Sequence, residues 1–154
     1  MLFGRLGRVA ELAARRGRRG YHAPVREMAF LLHDVHQFTS HYETLSHVEL
    51  CDRETMEMVI DASQQLCEQE LAPLLEGADS VGCQWVDSHT VKTPPGFRDA
   101  YRLYAESGWQ GLSFPAKYGG QGLPTSLALI QSEMIAAANY TFLMFPGLSK
   151  GATH

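Results

Sequence analysis

Apolar side chains recur every three or four residues along most of the chain, which is the period of an α-helix rather than of a strand. The first such stretch follows Pro24, which disfavours helix at Ala23, so we expect a helix to begin after the proline. Its predicted buried face is formed by Met28, Leu31, Leu32 and Val35.

A second helix is predicted after residue 46. Ser46 and Glu49 have the spacing of a capping box, and Asp52 is a competing N-cap. Because prolines interrupt helices, Pro73 should end or bend this helix. The apolar face between these limits consists of Met56, Val59, Ile60, Leu66, Cys67 and Leu71.

Residues 76–96 are rich in glycine, aspartate, serine and proline, and they predict a loop. A third helix is expected from about Gly96 to Ser107, with Gly108 as its stop, because glycine adopts the left-handed conformation at low cost. The predicted face of this helix carries Phe97, Ala100, Tyr101, Tyr104 and Ala105.

A glycine-rich loop over 109–124 precedes a fourth helix, which we expect to begin at 124–126 and to end near Asn139. Its predicted buried stripe is Leu127, Ile130, Met134 and Ala138. No segment alternates convincingly with period two, so little sheet is expected. The pattern therefore predicts an all-α fold.

Composition agrees with one globular domain: 154 residues, 45% hydrophobic and 19% charged. A net charge of -4 disfavours nucleic acid as a partner. No apolar run approaches the roughly 18 residues of a membrane-spanning helix. The odd number of cysteines argues against a disulfide framework, and we interpret Cys51, Cys67 and Cys83 as small core residues in a reducing compartment.

Residues 1–20 differ from the rest because they are basic and nearly free of acids. Leu2, Leu6, Val9 and Ala13 lie three or four residues apart, so they share one helical face. An arginine-rich amphipathic start is typical of a mitochondrial targeting segment, which predicts the matrix. A basic tail on a cytoplasmic protein, or upstream sequence translated from a wrong start codon, is the alternative. The arginines are Arg5, Arg8, Arg15, Arg16, Arg18 and Arg19.

Two patterns suggest ligand sites, and both are rejected. The histidines at 33, 36, 41 and 47 lie close in sequence, but only His33 and His36 have helical ligand spacing, and Asp34 faces elsewhere. We expect a surface histidine cluster and no metal. The glycines of 119–122 lack the preceding strand and the spacing of a dinucleotide loop.

Three stretches resemble one known family. The segment GWQGLSFP at 108–115, followed by YGGQGLP at 118–124, resembles the glycine-rich loop of acyl-CoA dehydrogenases with its whole spacing. The segment EMIAAAN at 133–139, leading to FLMFPGLSKGA at 142–152, resembles the family's next helix and turn. Residues 21–35 resemble the extra N-terminal segment of its longer bacterial-type subfamily.

The resemblance implies the N-terminal helical domain of an acyl-CoA dehydrogenase, an irregular bundle of about four to six helices. It divides the chain into a basic segment (1–20), the subfamily's N-terminal segment (21–45) and the helical domain (46–154). In the family the middle β-rich domain and the C-terminal helical domain follow, and this chain does not contain them. The resemblance therefore implies a fragment of a longer protein.

The activity implied by the resemblance is α,β-dehydrogenation of fatty acyl-CoA with FAD, as in fatty acid β-oxidation. The flavin is held mainly by the absent domains, and the catalytic glutamate lies there too, so no catalytic residue is assigned, Glu133 included. Phe142, Leu143 and Phe145 are implied to border the acyl chain. Implied partners are electron-transfer flavoprotein or a similar acceptor, and further copies of the full protein. The alternative is a non-catalytic module that binds acyl chains or a partner subunit.

Overall fold

The computed structural model describes residues 20–45 and 51–152, and these residues form a helical bundle with one small hairpin. The predicted all-α fold is confirmed, with six α-helices in the described ranges. In chain order the elements are α1 (Val25–Phe30) with a π-helical turn (Leu31–Val35), α2 (Phe38–Tyr42), α3 (Arg53–Gln65) with a π-helical turn (Leu66–Leu71) and a 3-10 turn (Ala72–Leu74), α4 (Leu75–Val81), β1 (Gln84–Asp87), β2 (Thr90–Lys92), α5 (Phe97–Glu106), 3-10 turns at Trp109–Gly111 and Ala116–Tyr118, and α6 (Thr125–Gly151).

The first predicted helix is present, but half of its predicted face is exposed. Met28 and Leu32 are buried, whereas Leu31 and Val35 are exposed. The cause is the π-helical turn, in which the His36 N–H donates to the Leu31 carbonyl five residues earlier. A π-turn shifts the apolar period away from 3.6 residues.

Helix α3 begins after Asp52, the second of the two N-caps that the sequence offers. The Asp52 carboxylate accepts a hydrogen bond of 2.8 Å from the Thr55 N–H. Ser46 and Glu49 lie outside the described residues. Most of the predicted stripe is buried, and only Val59 is half-buried.

The predicted loop over 76–96 is wrong for two stretches. Pro73 occupies a 3-10 turn, where its missing N–H is tolerated, and the chain resumes as α4. Strands β1 and β2 then pair antiparallel, with Trp85 opposite Val91. Because both strands are exposed on both faces, no alternation of polar and apolar residues marks them.

Helix α5 matches its prediction closely, and Gly108 stops it at φ 77°. Phe97, Ala100 and Tyr104 are buried, while Tyr101 and Ala105 of the predicted face are exposed. The buried rings of Phe97 and Tyr104 contact Phe142 of α6 and belong to the hydrophobic core.

The first half of α6 ends at Asn139, as predicted, but a second helical half that the sequence did not predict follows it. The residue has non-helical angles (φ -160°, ψ 87°), and the helix resumes after it to Gly151. Its side-chain oxygen accepts 3.0 Å from the Phe142 N–H, so it caps the second half of α6. Its side-chain nitrogen donates 3.0 Å to the Leu71 carbonyl, which ties the break to the turn after α3.

The segment 21–45 packs across the bundle. The Tyr21 hydroxyl donates to the Met134 carbonyl at 3.1 Å, and the Ala23 N–H donates to the Glu68 carboxylate at 2.9 Å. The predicted targeting segment falls almost wholly in residues 1–19, outside the described residues, and stays a prediction. None of the helices in the described ranges has the length and hydropathy needed to cross a membrane.

Candidate functional site

An apolar groove lies between the hairpin, the turn before α5 and the second half of α6. We call it the aromatic groove; its volume is about 790 Å³. The walls include Val86, Val91, Pro94, Pro95 and Tyr101, and the floor consists of Phe97, Phe142 and Phe145.

Three aromatic rings form the floor through edge-to-face contacts. The Phe97 ring centroid lies 5.9 Å from that of Phe142 and 5.7 Å from that of Phe145. Phe142 is fully buried and also contacts Tyr104, whereas Phe145 is 36% exposed. Phe145 is therefore the α6 ring that a ligand in the groove would meet directly.

The break at Asn139 orients this floor. Because Asn139 begins a new helical segment, Phe142 and Phe145 lie three residues apart on one face of that segment. The structure brings these two predicted residues to the groove. Leu143 is half-buried, packs against the core and does not line the groove.

Sequence reasoning missed the remaining lining. The sequence predicts Phe97 and Tyr101 only as members of a buried helix face, and it predicts a loop where the structure has the hairpin. The signal that could have found the hairpin is the placement of apolar Trp85 and Val86 on one side and Val91 on the other side of a polar stretch, DSHT, that suits a turn.

The charged residues that line the groove are both cations. Lys92 ends β2, and Arg98 lies in the first turn of α5. In the described ranges neither makes an ion pair, and no acidic residue lines the groove. The site therefore combines an aromatic floor with a positive rim.

The glycine-rich connector is packed rather than open. The backbone N–H groups of Gly120, Gln121 and Gly122 already donate to carbonyls of Pro115, Gly111 and Phe114. An ideal Cβ on Gly120 would lie 2.1 Å from the Phe114 oxygen. These amides are therefore occupied, and the connector does not offer a cradle for phosphate.

A second groove of about 780 Å³ is acidic at its edge. It includes Glu68, whose pKa is held below its ordinary value by hydrogen bonds from the Gln64 amide and the Ala23 N–H. Burial raises the pKa of neighbouring Tyr21 to about 12. Glu133 is exposed and lines neither this groove nor the aromatic one.

Two of the three cysteines are core residues, as predicted. Burial raises the pKa of Cys51 to about 11 and that of Cys67 to about 12, so both thiols stay protonated near neutral pH. Cys83 is exposed, and its assignment to the core is wrong because it lies between α4 and the exposed hairpin.

The predicted surface histidine cluster is wrong at His33. Its side chain is 2% exposed, because the π-helical turn faces α3, and neither ring nitrogen has a hydrogen-bond partner. Its Nε2 lies 3.8 Å from a Glu57 carboxylate oxygen. Across the described ranges, no group of three or more histidine, cysteine, aspartate or glutamate side chains could hold a metal ion.

Fold and site together define a class: a helical module with an apolar groove whose rim carries two cations. The chain belongs to the acyl-CoA dehydrogenase family, because the family model described as the acyl-CoA dehydrogenase N-terminal domain matches residues 53–153. The match confirms the resemblance carried by the glycine-rich connector and α6.

A curated relative agrees with this membership. The chain is 31% identical over 134 residues to a protein of Ruegeria pomeroyi named 3-methylmercaptopropionyl-CoA dehydrogenase. The match covers 86% of this chain but only 22% of the relative. The chain thus spans less than a quarter of that protein's length.

Proposed function

We propose that the full-length protein removes hydrogen from the α and β carbons of a saturated acyl-CoA thioester, with FAD as the oxidant. In this proposal the chain supplies part of the acyl-binding surface, and residues beyond it supply the catalytic base. Electron-transfer flavoprotein or a similar acceptor would reoxidise the flavin.

The observation that carries the proposal is the aromatic groove in a chain of this family. An acyl chain needs an apolar surface, and pockets for such ligands are concave and mostly apolar. Phe145 would contact the acyl chain, and Phe97, whose ring contacts both Phe142 and Phe145, would hold Phe145 in place. Leu143 would support the floor from the core side.

The described residues do not by themselves fit a flavin. The N–H groups of the connector at Gly120, Gln121 and Gly122 are already bonded within the loop, so the connector offers no donors for the flavin pyrophosphate. When bound elsewhere in the protein, a flavin would supply hydride acceptance. The role derived for this chain is to bind the acyl group and exclude water from it.

The proposal also concerns which acyl group the substrate carries. A straight fatty chain is our first expectation, in keeping with β-oxidation. The relative's name specifies a methylthio-substituted propionyl group, and thioether sulfur makes favourable contacts with aromatic rings such as those of the floor. Both substrate types therefore belong in the test.

The test uses the full-length protein purified with its native flavin. Octanoyl-CoA and 3-methylmercaptopropionyl-CoA are assayed with a dye as electron acceptor. Phe145→Ala should raise KM for the preferred substrate about tenfold, since truncating a contacting ring removes more than about 1 kcal/mol of apolar contact. Tyr118→Ala is the matched control, because its exposed ring lies outside the groove.

Three outcomes would contradict the proposal. A colourless protein, or one that oxidises no acyl-CoA, would favour a non-catalytic helical module. Equal changes of KM in the Phe145 and Tyr118 variants would show that the groove is not part of the substrate-binding surface.

A further inference from the structure

The second groove, which we call the acidic groove, has a charge opposite to that of the aromatic groove. Among the described residues that line it, three are acids and none is a lysine, an arginine or a histidine. Glu76 and Asp79 lie three residues apart on α4, so their carboxylates share one face of that helix. Like charges at neighbouring positions of a helix repel, and a cation bound between them relieves the repulsion. The third acid is Glu68, in the turn after α3.

The floor of the acidic groove is apolar. It is formed by Ala72, Pro73 and Leu75 on one side and by Ala137 and Ala138 of α6 on the other. Leu75 is 41% exposed, so covering its side chain would be favourable. Acids above an apolar floor suit a segment that has basic and apolar side chains together.

The chain enters the described structure at this groove. Gly20, the first described residue, lines it. The residues that follow are held in place, because the Tyr21 hydroxyl donates to a carbonyl of α6 at 3.1 Å and the Ala23 N–H donates to the Glu68 carboxylate at 2.9 Å. Since consecutive Cα atoms are about 3.8 Å apart, the covalent chain tethers the preceding residues to the groove.

The tethered residues have the complementary composition. Residues 1–19 contain six arginines and a single acid, Glu11, and their apolar residues have helical spacing. Four of the arginines lie within 15–19, next to Gly20. Because a short tether gives an effective concentration of roughly millimolar, weak contacts are enough for binding within one chain.

We propose that residues 1–19 bind the acidic groove of their own chain. The arginines of 15–19 pair with Glu76 and Asp79, and the apolar residues before them cover Leu75. This contact involves neither the aromatic groove nor an acyl group, so it is independent of the proposed function. Any other partner of the basic segment has to compete with the groove for the same side chains.

The test is limited trypsin digestion of the whole 154-residue chain at low salt and low protein concentration. Mass spectrometry measures the rate of cleavage after the arginines of 15–19, because a docked segment is protected from the protease. The variant is Glu76→Gln with Asp79→Asn. The matched control is Glu54→Gln with Asp61→Asn, which removes the same two charges from exposed positions of α3 outside the groove.

Cleavage within 15–19 should be about fivefold faster in the Glu76 and Asp79 variant than in the parent, which is the size expected for the loss of exposed ion pairs. At about 0.5 M salt the parent should be cut as fast as the variant, because salt screens exposed charges. The control should be cut at the parental rate. Cleavage after exposed Lys117 of the connector should be equal in all three proteins, which verifies the fold.

Equal cleavage rates within 15–19 in the parent and the variant would overturn the proposal, as would an equal acceleration in the control. Protection that increases with protein concentration would place the segment on another copy of the chain and would overturn binding within one chain. If cleavage after Lys117 also accelerates in the variant, the salt series on the unaltered chain decides. The absence of any acceleration by salt there would then overturn the proposal.

Discussion

Asn139 is a single side chain that fixes two parts of the molecule. Its amide caps the second half of α6 at Phe142 and bonds the Leu71 carbonyl after α3. Asn139→Ala should lower the free energy of unfolding by about 3 kcal/mol, because a buried cap is lost and a buried carbonyl loses its partner. Urea unfolding monitored by circular dichroism measures the change.

The control for this substitution is Thr141→Ala, two residues later on an exposed position. It should change stability by less than about 0.5 kcal/mol. If the Asn139 and Thr141 variants unfold at the same urea concentration, the two amide bonds do not stabilise the break.

His33 makes stability depend on pH. Burial, together with the positive charge of Arg53, lowers its pKa below the ordinary value of 6.5, while Glu57 and Asp34 oppose the shift. Below pH 6.5 the unfolded chain therefore binds a proton that the folded chain resists. Stability should fall as the pH drops from about 7 and should level off once it is below the folded-state pKa.

The measurement is the thermal midpoint of the parent chain and of His33→Leu between pH 7.5 and 5, at about half-unit steps. The leucine variant should lose less stability over this window, because it removes the group that titrates. Parallel curves for the two proteins would show that His33 does not supply the pH dependence. His36→Leu is the control, since that ring is exposed.

At the scale of elements, the glycine-rich connector depends on a close backbone contact at Gly120, where there is no room for a side chain. Gly120→Ala places a Cβ 2.1 Å from the Phe114 oxygen, and that atom belongs to the backbone. The variant should lose at least about 3 kcal/mol of stability, or fail to fold, because backbone must shift around the added methyl. Soluble yield and urea unfolding measure the effect.

Gly77→Ala should have the opposite effect on stability. Gly77 lies within α4, and nothing approaches its Cβ position within 4 Å. The substitution should stabilise the chain by about 0.5–1 kcal/mol through helix propensity and reduced freedom of the unfolded chain. Destabilisation by both alanines would mean that α4 is not helical in solution.

Elements with one buried face and a clear stop could be predicted from the sequence, and exposed or irregular ones could not. Helix α5 has Phe97 at its start and Gly108 after its end, so local signals and packing agree. The hairpin has no buried face, which removes the periodic signal. The hydrogen bond from Asn139 to Leu71 could not be predicted from local sequence, because the two residues are 68 positions apart.

The same reasoning applies to the aromatic groove. The family resemblance predicts Phe142 and Phe145, whereas an apolar run alone cannot be distinguished from ordinary core. Lys92 and Arg98 carry no sequence signal of binding, since single exposed cations are common. Only the turn between β2 and α5 places both beside the aromatic floor.

At the scale of the whole molecule, large apolar side chains are exposed on several elements, among them the second half of α6 and the hairpin. Tyr140, Met144 and Leu148 form an exposed stripe on the second half of α6, with Leu148 71% exposed. Trp85 on the hairpin is 74% exposed. Contiguous apolar surface of this kind marks an interaction face.

This surface predicts that the 154-residue chain associates when it is purified alone. Sedimentation velocity should show average mass rising with concentration, and Met144→Lys with Leu148→Lys should shift the chain toward monomer, because charge on the stripe opposes its burial. Leu129→Lys is the matched control, since Leu129 is exposed outside the stripe. A parent chain that stays monomeric would contradict the prediction. If only Leu129→Lys shifted the chain toward monomer, the associating surface would lie on the first half of α6 instead.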